Sequence, residues 1–201
     1  MDNRTRSERT KDAALQAALT IIARDGAGKL TLDAIARESG ISKGGLMHQF
    51  HTKEAVVTAL LERQTAQLEV LAQKYIEEHG AGRSHPQLAA HIATSRQVID
   101  GPAYSISFAI HGLLAQDPAL LAISRERDAK RLAAIKAEAA DPDLAMLRWL
   151  AARGLVQTSL VGPSPISPEE RERLFARLLD DSQWAPLEKP AASPARRPRP
   201  G

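Results

Sequence analysis

Apolar residues recur every three to four positions through most of this chain, and most periodic runs are closed by Gly, Pro or an Asp-Gly pair. That spacing belongs to helices that bury one face and expose the other. The first run, Leu15, Ala18, Leu19 and Ile22, predicts a helix that begins near Arg9 and stops at Asp25-Gly26. Two short runs follow. Leu32, Ile35 and Ala36 stand behind Thr31, a residue able to cap the first amides, and Gly40 supplies the backbone of a tight turn. Ser42 offers a second cap, and Leu46 and Phe50, four apart, lay one face of a second short helix onto the first. Two helices this short joined by a Gly-containing turn have the layout of a helix-turn-helix.

From Phe50 onward the runs are longer. Thr52 caps a helix predicted from Lys53 to about Glu78, with Val57, Leu60, Leu61, Gln64, Leu68, Leu71 and Tyr75 inward, and His79-Gly80-Ala81-Gly82 ends it. Pro86 opens the next helix, to about Asp100, with Leu88, Ile92 and Ile99 inward and His91 and Arg96 on or near that face. After Gly101-Pro102, the stretch AYSISFAIHGLLA is apolar nearly all round, the mark of a helix buried on more than one side. Asp117-Pro118 starts a longer helix to roughly Ala140, whose RERDAKR run reads as a solvated face because its signs are mixed. Asp141-Pro142 opens an eighth, rich in large apolar residues, and EERERLFARLLDD after Pro168 forms a ninth. The fold class is therefore all-α, with about nine helices.

The second short helix carries an unusual outer face. Lys43, Gly44, Gly45, Met47, His48 and Gln49 give it one permanent cation, two side chains able to hydrogen-bond and almost no bulk. Paired glycines weaken a helix by roughly 1 kcal/mol each relative to Ala. Close approach of the backbone to a ligand is a physical reason to keep them there, and the floor of a DNA major groove is such a ligand. The alternative, that Ser-Lys-Gly-Gly is only a loop, would leave the helical spacing on both sides unexplained.

The stretch from Thr31 to Glu54, with SGISKGGLMHQFHTKEA at its centre, resembles the helix-turn-helix and following helix start of the tetracycline-repressor-like (TetR) family of bacterial transcription regulators. The resemblance implies three N-terminal helices that bind DNA, about six more that form a ligand pocket and a dimer interface, and a small molecule that releases the DNA. Gly45 and Met47 stand where the family often has a Thr and a Tyr that meet DNA. Those contacts do not carry over as hydrogen bonds; backbone approach at Gly45 and an apolar contact from Met47 remain. On this reading Ser42, Lys43, Gly44, Gly45, Met47 and His48 meet DNA, with Thr31, Arg37 and Lys53 at phosphates. The partner is double-stranded DNA with a palindromic operator, because a twofold homodimer reads two half-sites about one helical turn or a multiple apart.

Composition changes this picture little. The 201 residues are 43% hydrophobic, ample for a core, and the formal charge of +3 would not by itself suggest nucleic acid. No cysteine is present, which removes disulfides, thiolate catalysis and Cys-based zinc sites together. No run approaches the roughly eighteen apolar residues of a membrane span, so no membrane partner is expected and the cytoplasm is the default location. Residues 1–11 are polar and basic, predicted as a disordered arm able to lie along phosphates. Residues 12–52 make the DNA-binding domain, 53–182 the effector and dimerisation domain, and 183–201 a Pro- and Arg-rich tail without a core.

No Gly-rich phosphate loop, nucleophile elbow or paired-His motif appears, so an enzyme is not expected, nor a cofactor. His48 and His51 lack a third convergent ligand, so no metal is expected there. The polar groups set into apolar faces are the candidates for a ligand pocket: Gln64 and His91, with Tyr104, Phe108 and His111 stacked along the apolar helix and Leu60, Leu61 and Leu68 as wall. The effector they suggest is a mainly apolar small molecule. Trp149, Leu155 and Leu160 on the eighth helix, with Leu174, Phe175 and Leu178 on the ninth, are the candidates for a four-helix interface at a twofold axis. Together these point to a DNA-binding transcription regulator, a repressor released by a ligand. An effector-independent structural DNA-binding dimer and a regulator controlled by a protein partner stay open.

Overall fold

Local capping explains where most helices start. In the computed structural model, which describes residues 3–100, 118–160 and 164–189, Thr31, Ser42, Thr52 and Ser167 each stand in extended backbone and accept a hydrogen bond from the amide three residues on. They open α2 (Leu32–Ser39), α3 (Lys43–Gln49), α4 (Lys53–His79) and α8 (Pro168–Leu179). Proline starts α5 (Pro86–Asp100), α6 (Pro118–Glu138) and α7 (Pro142–Leu160), where its missing amide hydrogen costs nothing. The chain begins with α1 (Asn3–Asp25) and closes with α9 (Asp181–Trp184) and a short 3₁₀ turn. Among the described residues there are nine α-helical segments and no strand, so the fold is all-α.

Two apolar cores form. The first gathers Leu15, Ala18 and Ile22 of α1, Ile35 of α2, Leu46 of α3 and Val57, Leu60 and Leu61 of α4, with Leu120 of α6 at its margin. The second gathers Leu88 and Ile92 of α5, Ile135 of α6, Trp149 and Leu155 of α7, and Phe175 and Leu178 of α8. The long α4 belongs to the first core at its start and packs along α5 further on. It thus links the two.

Two boundaries differ from the sequence expectation. Helix α1 starts at Asn3, so the segment 3–11, predicted as a disordered arm, is helical. Nothing between Asn3 and Asp25 breaks a helix: the segment holds neither Gly nor Pro, and adding residues to an existing helix needs no new nucleus. At the other end, residues 183–189, predicted as the start of a tail without a core, are packed onto the fold. Trp184 lies over the Arg148 guanidinium at 5.3 Å and donates from Nε1 to the Arg177 carbonyl at 2.7 Å, while the Lys189 amide donates to Asp141 at 2.8 Å. Arg148 is buried, and its Nη2 donates to the Leu178 carbonyl at 2.6 Å and to Asp181 at 2.8 Å. Arg83 donates to the same Asp181 at 3.1 Å, so a single carboxylate ties the chain end to α7 and to the α4–α5 loop. Composition alone could not show this, because the partners lie some thirty and a hundred positions away (|i−j| of 33 and 98).

Candidate functional site

The short helix α3 owes its position to its two inward residues and its cap. Leu46 and Phe50 are buried in the first core, and Ser42 Oγ accepts from the Gly45 amide at 3.2 Å. Gly40 turns the chain between α2 and α3 in the left-handed region, φ 68°, which is why a glycine serves there. Ser-Lys-Gly-Gly is the first turn of a regular helix, which excludes the loop reading. Lys43, Gly44, Met47 and His48 form its exposed outer face. Gln49, expected on that face, instead turns toward α1 and donates to Ser7 Oγ at 2.7 Å.

A side-chain carbon built on Gly44 would meet nothing within 4 Å, so the packing of this subunit does not require glycine there. At Gly45 such a carbon would sit 3.2 Å from Ser42 Oγ and 3.3 Å from Ile41, tight against the cap itself. Lys43 Nζ lies 2.8 Å from Asp33 on α2, and that ion pair holds the Asp33 carboxyl below its ordinary range. Both side chains are well exposed, so the pair is screened and easily exchanged for another anion. Thr31 spends its hydroxyl oxygen on the Ala34 amide, Arg37 is exposed on α2, and Lys53 is exposed at the first turn of α4, 3.9 Å from Glu54.

Beyond the first core lies a cavity of about 480 Å³ between α4, α5, α6 and α7. Leu61, Gln64 and Leu68 of α4 and His91 of α5 line it, as the sequence suggests. Leu60 does not; it is buried in the first core, because the helix turns it a full 100° away from Leu61. Tyr104, Phe108 and His111 lie outside the described residues. The cavity also takes in Arg127, Asp128 and Arg131 of α6, which the sequence reading left on a solvated face, and Arg153 of α7, which it did not single out. The signal that would have found them is the spacing of Ser124, Arg127, Asp128 and Arg131, one helical stripe inside a run of mixed charge.

Within the cavity, Arg153 pairs with Asp128 at 2.7 Å and lies over the Trp149 ring at 4.9 Å. The His91 ring stacks on Trp149 from the other helix, centroids 5.9 Å apart. Burial, and then the charges of Arg131 and Arg153, push the His91 imidazole down to about 3, so it is neutral at ordinary pH. Burial also lowers the Arg131 guanidinium from its usual value, against the pull of Asp128 and Glu69.

The interface candidates divide. Trp149, Leu155, Phe175 and Leu178 are buried in the second core of this single chain, so they serve folding and are not surface for a partner. They face α5, the helix both α7 and α8 pack on. Leu174 is 39% exposed, and Leu147 and Leu150 of α7, which the sequence reading did not single out as interface residues, are 61% and 49% exposed. The Leu160 side chain lies outside the described residues. Among the described residues no helix is long and apolar enough to cross a membrane.

Comparison with known families matches residues 14–60 to "Bacterial regulatory proteins, tetR family" and residues 86–183 to "Tetracyclin repressor-like, C-terminal domain". No curated protein matches the chain. Among solved structures, the SmeT–triclosan complex is 18% identical, with 94% of this chain and 99% of that one covered at a TM-score of 0.65. The multidrug binding protein EbrR complexed with malachite green is 19% identical, covering 84% and 96% at 0.63. A transcriptional regulator from Aquifex aeolicus is 15% identical, covering 88% and 99% at 0.61. At these identities the likeness is one of fold.

Proposed function

Because this chain belongs to the tetracycline-repressor-like family of bacterial transcription regulators, we propose that it is a homodimeric repressor whose two α3 helices read a palindromic operator and release it when a small molecule enters the cavity. The observation that carries the DNA half is Gly44: a glycine in the first turn of α3 whose own subunit leaves it room for a side chain. A helix weakened for no internal reason is explained by backbone approach to a major groove. Lys43 then exchanges Asp33 for a phosphate, Met47 and His48 face the bases, and Thr31, Arg37 and Lys53 lie along the backbone of the DNA. Ser42 keeps the first turn of α3 in place by its cap.

The ligand half rests on α4. Its first turn follows α3 after three residues, and further along the same helix Leu61, Gln64 and Leu68 line the cavity. A ligand that prefers one setting of α4 shifts the population of dimers whose reading heads match the groove spacing. An effector-independent DNA-binding dimer would fill this space with its own side chains, and a cavity of about 480 Å³ favours a ligand instead. The SmeT and EbrR complexes give precedent for small molecules bound in similar folds. Leu147 and Leu150 on α7 and Leu174 on α8 are exposed apolar positions suited to a twofold four-helix contact.

The test is a titration of the purified protein against its own upstream DNA at two salt concentrations, with a nonspecific duplex as competitor. Tight, competitor-resistant binding with a steep salt slope is expected. Weak binding, equal for both duplexes, overturns the operator reading for that sequence.

A further inference from the structure

The cavity is far from a plain apolar pocket, and its charges are mostly of one sign. Arg127, Arg131 and Arg153 converge on it from two helices, and Asp128 is the one acid among its described lining residues. That acid is already engaged by Arg153. Arg127 aims Nη1 at the Leu61 carbonyl at 3.5 Å and keeps a buried Nε without a hydrogen-bond partner among the described residues. His91 likewise keeps a buried, unpartnered Nε2 among those residues. Arg131, half-buried, makes no hydrogen bond or ion pair among them; Asp128, already paired with Arg153, and then Glu69 on α4 attract it without pairing with it.

Half-buried guanidinium groups without a close anion are costly, and a carboxylate or similar acid entering the cavity removes that cost through charge-assisted, bidentate hydrogen bonds. A neutral imidazole beside it can donate or accept at Nε2 according to its tautomer. Leu61 and Leu68 of α4 and Val156 of α7 add apolar surface to the same lining. We propose that the cavity receives a small organic anion, an acid group on an apolar body, with Arg131 as its charge partner. This rests on the ligand-released reading of the same cavity and narrows the ligand from a mainly apolar molecule to an amphipathic acid.

The experiment uses the full chain without DNA, so that it stands or falls apart from operator binding. Anilinonaphthalene sulfonate and the neutral N-phenylnaphthylamine share an aromatic body and differ in charge, and both fluoresce when bound. The sulfonate is expected to bind saturably and about ten-fold or more tightly than the neutral probe. Arg131→Gln should weaken the sulfonate by a similar factor and leave the neutral probe within about two-fold, while Arg131→Lys keeps part of the affinity. Arg125→Gln, on the exposed side of α6, should change neither probe. On the unmodified chain, phenylbutyrate should displace the sulfonate probe and phenylbutanamide should not, which needs no variant to fold. Equal affinity for the two probes, sulfonate binding indifferent to Arg131→Gln, or displacement by the amide as readily as by the acid overturns the proposal. If the neutral probe alone binds, the cavity still takes ligands and only the anion inference fails; if neither binds, the ligand-released reading fails with it.

Discussion

The reading head and the cavity handle their cations in opposite ways. On the head, Lys43 and Lys53 are exposed and their carboxylate neighbours, Asp33 and Glu54, are exposed with them. In the cavity, Arg127, Arg131 and Arg153 are half-buried, with one acid among the described lining residues. Exposed charges are screened and exchange partners at little cost, which suits a surface that must meet and leave a polyanion. Half-buried charges are costly when unpaired, which suits a site that waits for one specific ligand. The same residue types thus give salt-dependent contact in one region and chemical selectivity in the other.

The comparison breaks most sharply at Leu46, the fully buried residue by which α3 is held to the first core. Leu46→Ala should destabilise the chain by about 2–5 kcal/mol, read by chemical denaturation, and should loosen operator binding well before it affects ligand binding. Equal loss of both would mean that the two cores unfold as one. His91 gives the next effect. Its folded value lies near 3, below the ordinary 6.5, so the unfolded chain binds the proton more readily and His91's contribution to stability is complete above about pH 6.5. It is lost as pH falls from there toward 3, with a slope of at most about 1.4 kcal/mol per pH unit. Denaturation midpoints measured across that range should fall less steeply for His91→Gln than for the unmodified chain.

Ser42→Ala removes the cap of α3 and should cost about 1 kcal/mol of stability, with a larger relative loss in DNA affinity because the first turn carries the contacts. Gly44→Ala sharpens the contrast further, since its two effects should have opposite signs. With open space around the new carbon, stability should stay level or rise by up to about 1 kcal/mol, while operator affinity falls. Unchanged affinity would remove the close approach of DNA at that position. Smallest in size is Lys43→Ala, which should lower the salt slope of DNA binding by about one unit and leave ligand affinity alone.

How much of this was legible in the sequence follows from where each feature's partners lie. Thr31, Ser42 and Thr52 could be named as caps because a cap's partner is three residues away. Lys43, Met47 and His48 could be placed on an outer face because Leu46 and Phe50 fix the opposite one within a single short helix. Phe175 and Leu178 show the limit of that logic. Periodicity showed that they lie on one apolar side of a helix, but whether that side meets α5 of the same chain or a second copy is a matter of tertiary packing, and α5 takes it. Arg127, Asp128 and Arg131 show it again: a mixed-charge stripe looks the same facing water or facing a cavity until α5 and α7 are in place around it.

The sequence by itself determined the all-helical fold, the helix-turn-helix and its capped register, since these depend on side-chain spacing and on hydrogen bonds between near neighbours. Only the tertiary structure decided that the second core claims Trp149 and Phe175, that residues 181–189 clasp Arg148 and Asp141, and that arginines enclose the cavity. The reason is physical: burial, and with it the worth of a charge or a methyl group, is set by which elements meet, and those contacts join residues far apart along the chain.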